Sequence, residues 1–355
     1  MNPAFSVIFL TTLIGVGQGF FLAMAAAELL AMIGTVPMPD GRGFFALGSA
    51  LSLLFLIGGL AASFFHLGHP ERAWRAATMW RTSWLSRECI ALPAFMGLVA
   101  LYGASHYFGW SSGPVPALHV AAAVVALLAM AGCVTLFVCT GMIYVCIRFL
   151  QEWSSALTIV NFILLGCASG TTLAAAFAHV AAPQLVTGYA VTAICLTLLA
   201  LVTRLSSLYR NARLKPTSTL QTATGIRHPR IVQKAQGSMG GSFNTRHYFH
   251  GKSALWFRSV KWIFLVLAFL VPVLLLGSSL LVTSLWLLAC AFFTAVHRPD
   301  CRTLVFLCAG ESSTESVLPT HFLIRALPST SSDCSRSCAG SVRRPASSGA
   351  TPGPV

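Results

Sequence analysis

The sequence predicts an all-α fold, a polytopic bundle of about eight transmembrane helices with a basic loop between helices six and seven. Three observations carry that expectation. Of the 355 residues, 56% are apolar and only 9% charged. Apolar runs of about twenty residues, the length of helix that crosses a ~30 Å hydrocarbon layer, recur along the chain. Mean hydropathy is +0.76, more apolar surface than a water-soluble core consumes. The net charge of +14 does not point to nucleic acid, because the basic residues sit in the loops between spans, where they set topology and meet lipid headgroups or partner proteins.

Taken in order, spans are expected near 4–33, 44–66, 89–108, 117–147, 155–178 and 185–205. The first is read as a retained helix. It is too long for the roughly 7–15-residue apolar region of a cleavable signal and lacks a basic leader. The stretch from Trp262 to Val296 is too long for one span at 1.5 Å per residue, so two helices broken around Pro272 to Ser279 are expected there. From Arg204 to Lys261, both included, there are eleven Lys/Arg and no acid, which makes 204–261 the one sizeable extramembrane loop of a membrane domain covering 1–296. Of the eleven cysteines, Cys89, Cys133, Cys139, Cys146, Cys167, Cys195 and Cys290 lie in apolar runs without a C-x-x-C pair. They are expected to be buried free thiols.

Ionisable groups at membrane depth are costly and are therefore the informative residues. The stretch FHLGHPERAWRA at 65–76 ends an apolar run at His66, then turns basic. Four glutamates precede residue 300: Glu28, Glu71, Glu88 and Glu152. Glu88 opens the expected third span, and the loop that joins it to His66 carries Arg72, Arg75, Arg81 and Arg87 beside Trp74, Trp80 and Trp84. Such an aromatic and basic loop belongs at headgroup level, which puts histidine and carboxylate at one membrane face. Quinol oxidation needs such a pair. A histidine with an ordinary pKa near 6.5 takes a proton from the hydroxyl, and a carboxylate passes it to water. From the residues alone, each has an equally good structural account: His66 as a helix-end cap and Glu88 as a carboxylate favoured by the helix dipole. Gln18 and Glu28 in the first span are either quinol contacts or interhelical hydrogen-bonding groups. Arg72 and Arg75 are either site residues or, more in keeping with their surroundings, headgroup residues.

FHLGHPERAWRA, followed by SWLSRE at 83–88, closely resembles the signature of the membrane anchor subunits of the dimethyl sulfoxide reductase family (DmsC type). The glutamine–glycine pair of the first span and the loop stretch TGIRHPRIVQKAQGSMGGSFNT are also similar to that family. The resemblance runs from residue 1 to about 295. It implies an eight-helix anchor in the bacterial inner membrane that binds menaquinol as a diffusible electron donor and holds no haem or metal. It also implies a four-cluster iron–sulfur subunit that takes the electrons and a molybdopterin subunit that performs the terminal reduction in anaerobic respiration. The family's histidine falls on His66 and the carboxylate of its third helix on Glu88. Quinol contacts by Gln18, Glu28, Arg72 and Arg75 are a secondary expectation.

Two other classes compete. A b-type cytochrome anchor needs two histidines facing each other from different helices at one depth, and here His66, His106, His119 and His179 all lie near span ends. A secondary transporter predicts inverted repeats with broken helices at the midplane, and the sequence shows none. Orientation stays open. Basic residues concentrate in the 67–87 and 204–261 loops and are missing from 109–116 and 179–184, which puts His66 on the cytoplasmic side. The family resemblance implies a periplasmic docking face.

The segment after Val296 lacks the aromatic, Glu-Arg-Trp-containing ending that the resemblance implies. Yet HRPDCRTLVFLCAGESSTESVLP can be encoded by codons that, read one nucleotide later, give IGLIAERWFFFAQANHPQNLYY. CAT CGG CCT GAT TGC CGA ACG CTG becomes ATC GGC CTG ATT GCC GAA CGC TGG. Leu323 as CTG ahead of an isoleucine codon supplies a stop in the shifted frame. Residues 297–355 are therefore expected to be a frameshifted, disordered, non-native tail. Sequencing the codons for 290–325 tests this.

Overall fold

The computed structural model describes residues 5–39, 41–65, 67, 69–110, 116–148, 151–214, 220–228, 259 and 262–277. Among them every regular element is helical. Six are long and apolar enough to cross a membrane: α1 (Phe5–Met32), α2 (Gly41–Phe64), α3 (Trp84–Tyr107), α4 (Pro116–Val145), α5 (Ala156–Ala181) and α6 (Val186–Ala212). A short helix, α7 (Leu220–Thr224), and an apolar helix, α8 (Trp262–Gly277), follow. A 3-10 helix, Pro70–Ala77, joins α2 to α3. The expected eighth span, most of the basic loop and the whole of 297–355 lie outside the described residues.

Alternating helices define two ends of the bundle. The near end holds the start of α1, the α2–α3 and α4–α5 connections and the end of α6. The far end holds the α1–α2, α3–α4 and α5–α6 connections. The core between them is aromatic and close-packed: Phe20, Phe21, Met24, Phe45, Leu56, Phe95 and Tyr102 are fully buried, and Phe21 meets Phe95 and Tyr102 edge to face.

Glycine makes the closest helix contact. A methyl group on Gly19 would lie 2.0 Å from the Gly166 carbonyl oxygen, and one on Gly170 would lie 2.1 Å from the Gly19 carbonyl carbon. Gly15 faces Gly166 as well, at 3.9 Å. Two small-xxx-small pairs, Gly15/Gly19 and Gly166/Gly170, thus press α1 onto α5 backbone to backbone, the usual device where no hydrophobic drive exists between helices in lipid.

Two boundaries differ from the sequence expectation. Helix α3 starts at Trp84, because the Ser83 hydroxyl caps it by accepting from the Ser86 N–H at 3.4 Å; Glu88 therefore lies in the second turn rather than opening the helix. Helix α6 runs to Ala212, not 205. Arg204, Ser207 and Asn211 fall on one face at helical spacing and are buried, so their polarity marks an inward stripe rather than the start of a loop. Of the break expected around Pro272 to Ser279, the described residues reach only Gly277, and α8 stays helical through Pro272. The turn before it widens to a π-helix at Val266–Leu270, which accommodates the missing N–H and the ring's clash with the carbonyl one turn back. Of the cysteines expected to be buried, only Cys133 and Cys139 are. Cys167 is intermediate, Cys89, Cys146 and Cys195 are exposed on the bundle surface, and Cys290 lies outside the described residues.

Candidate functional site

A cavity of about 670 Å³ opens between α1, α3, α4, α5, α6 and α8, from the near end of the bundle down to Gln18. Each wall follows from local structure. The glycine contact of α1 with α5 lets the two helices meet tightly at Gly19 and Gly166, while toward the near end Ile8, Thr11 and Thr12 line open space. The lining is mainly apolar, with a few polar groups set into it, the usual make-up of a small-molecule site.

Two carboxylates line the wall, Glu152 from the α4–α5 connection and Glu88 from the second turn of α3. The Thr140 hydroxyl of α4 donates to Oε1 of Glu88 at 2.6 Å. Gln18, almost wholly buried, closes the inner end. Its side-chain amide donates to the Cys133 carbonyl and the Cys133 thiol donates to the Gln18 carbonyl, both at 3.4 Å. The residue thus lines the cavity and ties α1 to α4 together. Several other hydroxyls on the lining are engaged by carbonyls of their own helices: Thr12 with Ile8, Thr172 with Ala168 and Thr197 with Ala193, all within 2.8 Å. Asn161 Oδ1 accepts from Thr203 at 2.8 Å, which holds α5 and α6 in register beside Arg204. Among the described residues on the lining, Arg204 is the one cation.

The structure separates Arg72, Arg75 and Glu28 from this cavity. Arg72 and Arg75 are exposed on the 3-10 helix, Arg72 within 3.9 Å of Glu71 and Arg75 over the Trp74 ring at 5.6 Å. With Arg81 over Trp80 and Arg87 over Trp84, they form an aromatic and cationic belt suited to headgroup level. Glu28 lies at the far end, 3.1 Å from His106 and 2.5 Å from the Tyr102 hydroxyl that donates to it. His66 lies outside the described residues.

Sequence reasoning misses Arg204, Thr140 and His106. A charge that ends an apolar run reads as a loop boundary, which hides Arg204; the inward stripe Arg204, Ser207, Asn211 is the signal that finds it. For His106 the signal is weaker, since only the fold brings the ends of α1 and α3 together.

Six membrane-length helices around a polar-edged cavity, with a basic, tryptophan-rich belt, define a multi-pass helical membrane protein. The family model described as DMSO reductase anchor subunit (DmsC) matches residues 1–235, and the chain belongs to that family. It is 54% identical over 300 residues to a sulfite dehydrogenase subunit of Allochromatium vinosum, a match that covers 82% of this chain and 91% of the relative. No solved structure matches the chain. The chain is thus a membrane anchor subunit of an oxidoreductase complex.

Proposed function

We propose that this anchor exchanges electrons with a quinone bound in the cavity and that Glu88 moves the protons. The carrying observation is a carboxylate, oriented by Thr140, on the wall of a largely apolar cavity that reaches from the near end of the bundle into its membrane-spanning part. A quinone headgroup needs two hydrogen-bonding partners and its isoprenoid chain needs apolar walls. Reduction or oxidation of the headgroup moves two protons with two electrons, which calls for a titratable group within reach. His66, which follows α2 in the sequence, is proposed as the second proton-handling residue. We propose no haem or metal in this chain; the electrons pass directly between the quinone and an iron–sulfur subunit docked at the near end, which serves a molybdopterin catalytic subunit.

The likeness to a sulfite dehydrogenase subunit favours electrons that arrive from sulfite and reduce the quinone. The name of the matching family favours the reverse flow, from menaquinol to dimethyl sulfoxide, through the same cavity. Both flows use Glu88, once as proton donor and once as acceptor. Membranes containing the complex should therefore show sulfite-dependent quinone reduction. Glu88→Gln should abolish it and leave sulfite oxidation with ferricyanide, which bypasses the quinone, intact. Quinol-dependent dimethyl sulfoxide reduction without sulfite oxidation would assign the reverse flow, and normal quinone turnover in Glu88→Gln would overturn the site.

A further inference from the structure

We propose that Arg204 is the residue that holds the quinone's oxygen and stabilises its one-electron-reduced, anionic form. This rests on the quinone reading of the cavity and names a second site residue for it.

Three observations place Arg204 there. It lies inside the membrane-spanning α6 and is only 4% exposed, so it is not a lipid-facing residue reaching for headgroups. It lines the same cavity as Glu88 and is the one cation among the described residues that do so. Its neighbourhood holds it in place: Thr203 bonds Asn161 on α5 at 2.8 Å, and the Arg204 guanidinium stands 5.7 Å from the centre of the buried Phe264 ring of α8. A guanidinium has five N–H donors in a planar fork and stays protonated throughout the physiological range. It can engage a ligand oxygen without giving up a proton. Glu88 has the complementary chemistry, because a carboxyl group accepts and releases protons. Cation and carboxylate on one cavity thus divide the work, one holding charge and the other moving protons.

Quinone reduction develops charge in the order that makes this division useful. The first electron, from the iron–sulfur partner, turns the neutral quinone into a semiquinone whose oxygen carries the negative charge. The second electron from the same partner and two protons entering through Glu88 complete the quinol, and no other reactant is consumed. A fixed cation beside that oxygen lowers the energy of the charged stage, where water is excluded and hydrogen bonds to charged groups are strongest. The reverse flow passes through the same anion.

The experiment uses the whole complex in native membranes, with short-chain ubiquinone and naphthoquinone as probes. Arg204→Met should raise the quinone KM roughly ten- to hundred-fold, the loss expected for a hydrogen bond to a charged group. It should also remove the semiquinone radical signal from a redox titration. Arg204→Lys, which keeps the charge and loses the fork, should keep part of both. Glu88→Gln, which keeps the cation, should instead abolish quinone turnover. If Glu88→Gln is inactive while Arg204→Met keeps wild-type KM and radical signal, the role of Arg204 is overturned and the quinone reading stands. If the wild-type complex turns over no quinone, that reading itself fails. If Arg204→Met does not assemble, Arg204→Lys decides: an assembled complex with unchanged KM and signal shows that Arg204 is structural and does not hold the quinone.

Discussion

Glu28 on α1 and His106 on α3 stand 3.1 Å apart, both almost wholly buried, at the end of the bundle opposite Glu88. The Tyr102 hydroxyl donates to the other oxygen of the same carboxylate at 2.5 Å, and the His106 ring lies 4.8 Å from that of Phe45 on α2. The three residues join the far ends of α1 and α3 and rest on α2. Phe21, fully buried, packs edge to face on Tyr102 and ties this cluster into the aromatic core. The cluster's work is to hold helices together.

Glu28→Leu should accordingly lower the stability of the detergent-solubilised protein. Interhelical hydrogen bonds in membrane proteins contribute about 0.6 kcal/mol on average and up to about 1.7, so losing both contacts should cost on the order of 1–3 kcal/mol. Glu28→Gln can still accept from Tyr102 and should cost less than Glu28→Leu. Thermal unfolding of the two variants beside Tyr102→Phe checks the order; a Glu28→Leu protein as stable as wild type would remove the cluster's structural role.

Thr140 acts through Glu88. Thr140→Val keeps the shape and removes the donor, so the carboxylate loses its orientation but not its place. Quinone turnover should fall roughly ten-fold, the equivalent of one hydrogen bond to a charged group, while His66→Ala should abolish it. Steady-state rates of both variants with quinone and with ferricyanide test this, and equal quinone rates for Thr140→Val and wild type would count against orientation of Glu88 by its hydroxyl.

The legible part of this molecule is the part written in apolar length. Six spans follow from runs of about twenty apolar residues, and their centres agree with α1 to α6. The ends do not follow, because capping and burial set them. Ser83 starts α3 ahead of the apolar run, and the inward face of α6 carries its helix past Arg204. Glu88 is legible as a membrane-depth charge, and the cavity around it is not, since Thr140, Asn161 and Arg204 meet it only through tertiary packing. The histidine paired with Glu28 is invisible for the same reason: 78 positions separate the two, a distance only the helix alternation closes.

Close packing of α1 on α5 makes a graded prediction. Gly19→Val places carbon where the Gly166 carbonyl stands, at 2.0 Å for the first added atom, and backbone cannot yield as a flexible side chain does. That variant should fail to accumulate in the membrane or lose the cavity. Gly15→Ala adds a methyl 3.9 Å from Gly166, an ordinary contact, and should assemble with near-normal quinone KM. Immunodetection of the membrane-inserted chain separates the two. A Gly19→Val protein that accumulates and turns over quinone normally would show that α1 and α5 do not meet through these glycines.

Charge distribution predicts which side the near end faces. Before residue 215, the connections and helix ends at that end carry Arg72, Arg75, Arg81, Arg87, Arg148, Arg210 and Arg213, whereas the far end has Arg42 alone. Short loops rich in Lys and Arg stay in the cytoplasm, so the near end, the belt and the mouth beside Glu88 should face it, and a partner protein docked there should be cytoplasmic. Single-cysteine variants in an otherwise cysteine-free chain provide the measurement, with Thr82→Cys at the near end and Gly109→Cys at the far end. A membrane-impermeant maleimide applied to intact spheroplasts should label Gly109→Cys and spare Thr82→Cys, and inverted vesicles should give the opposite pattern. Labelling of Thr82→Cys in spheroplasts would put the near end outside, and the basic connections would then have to be explained as a surface for an acidic partner.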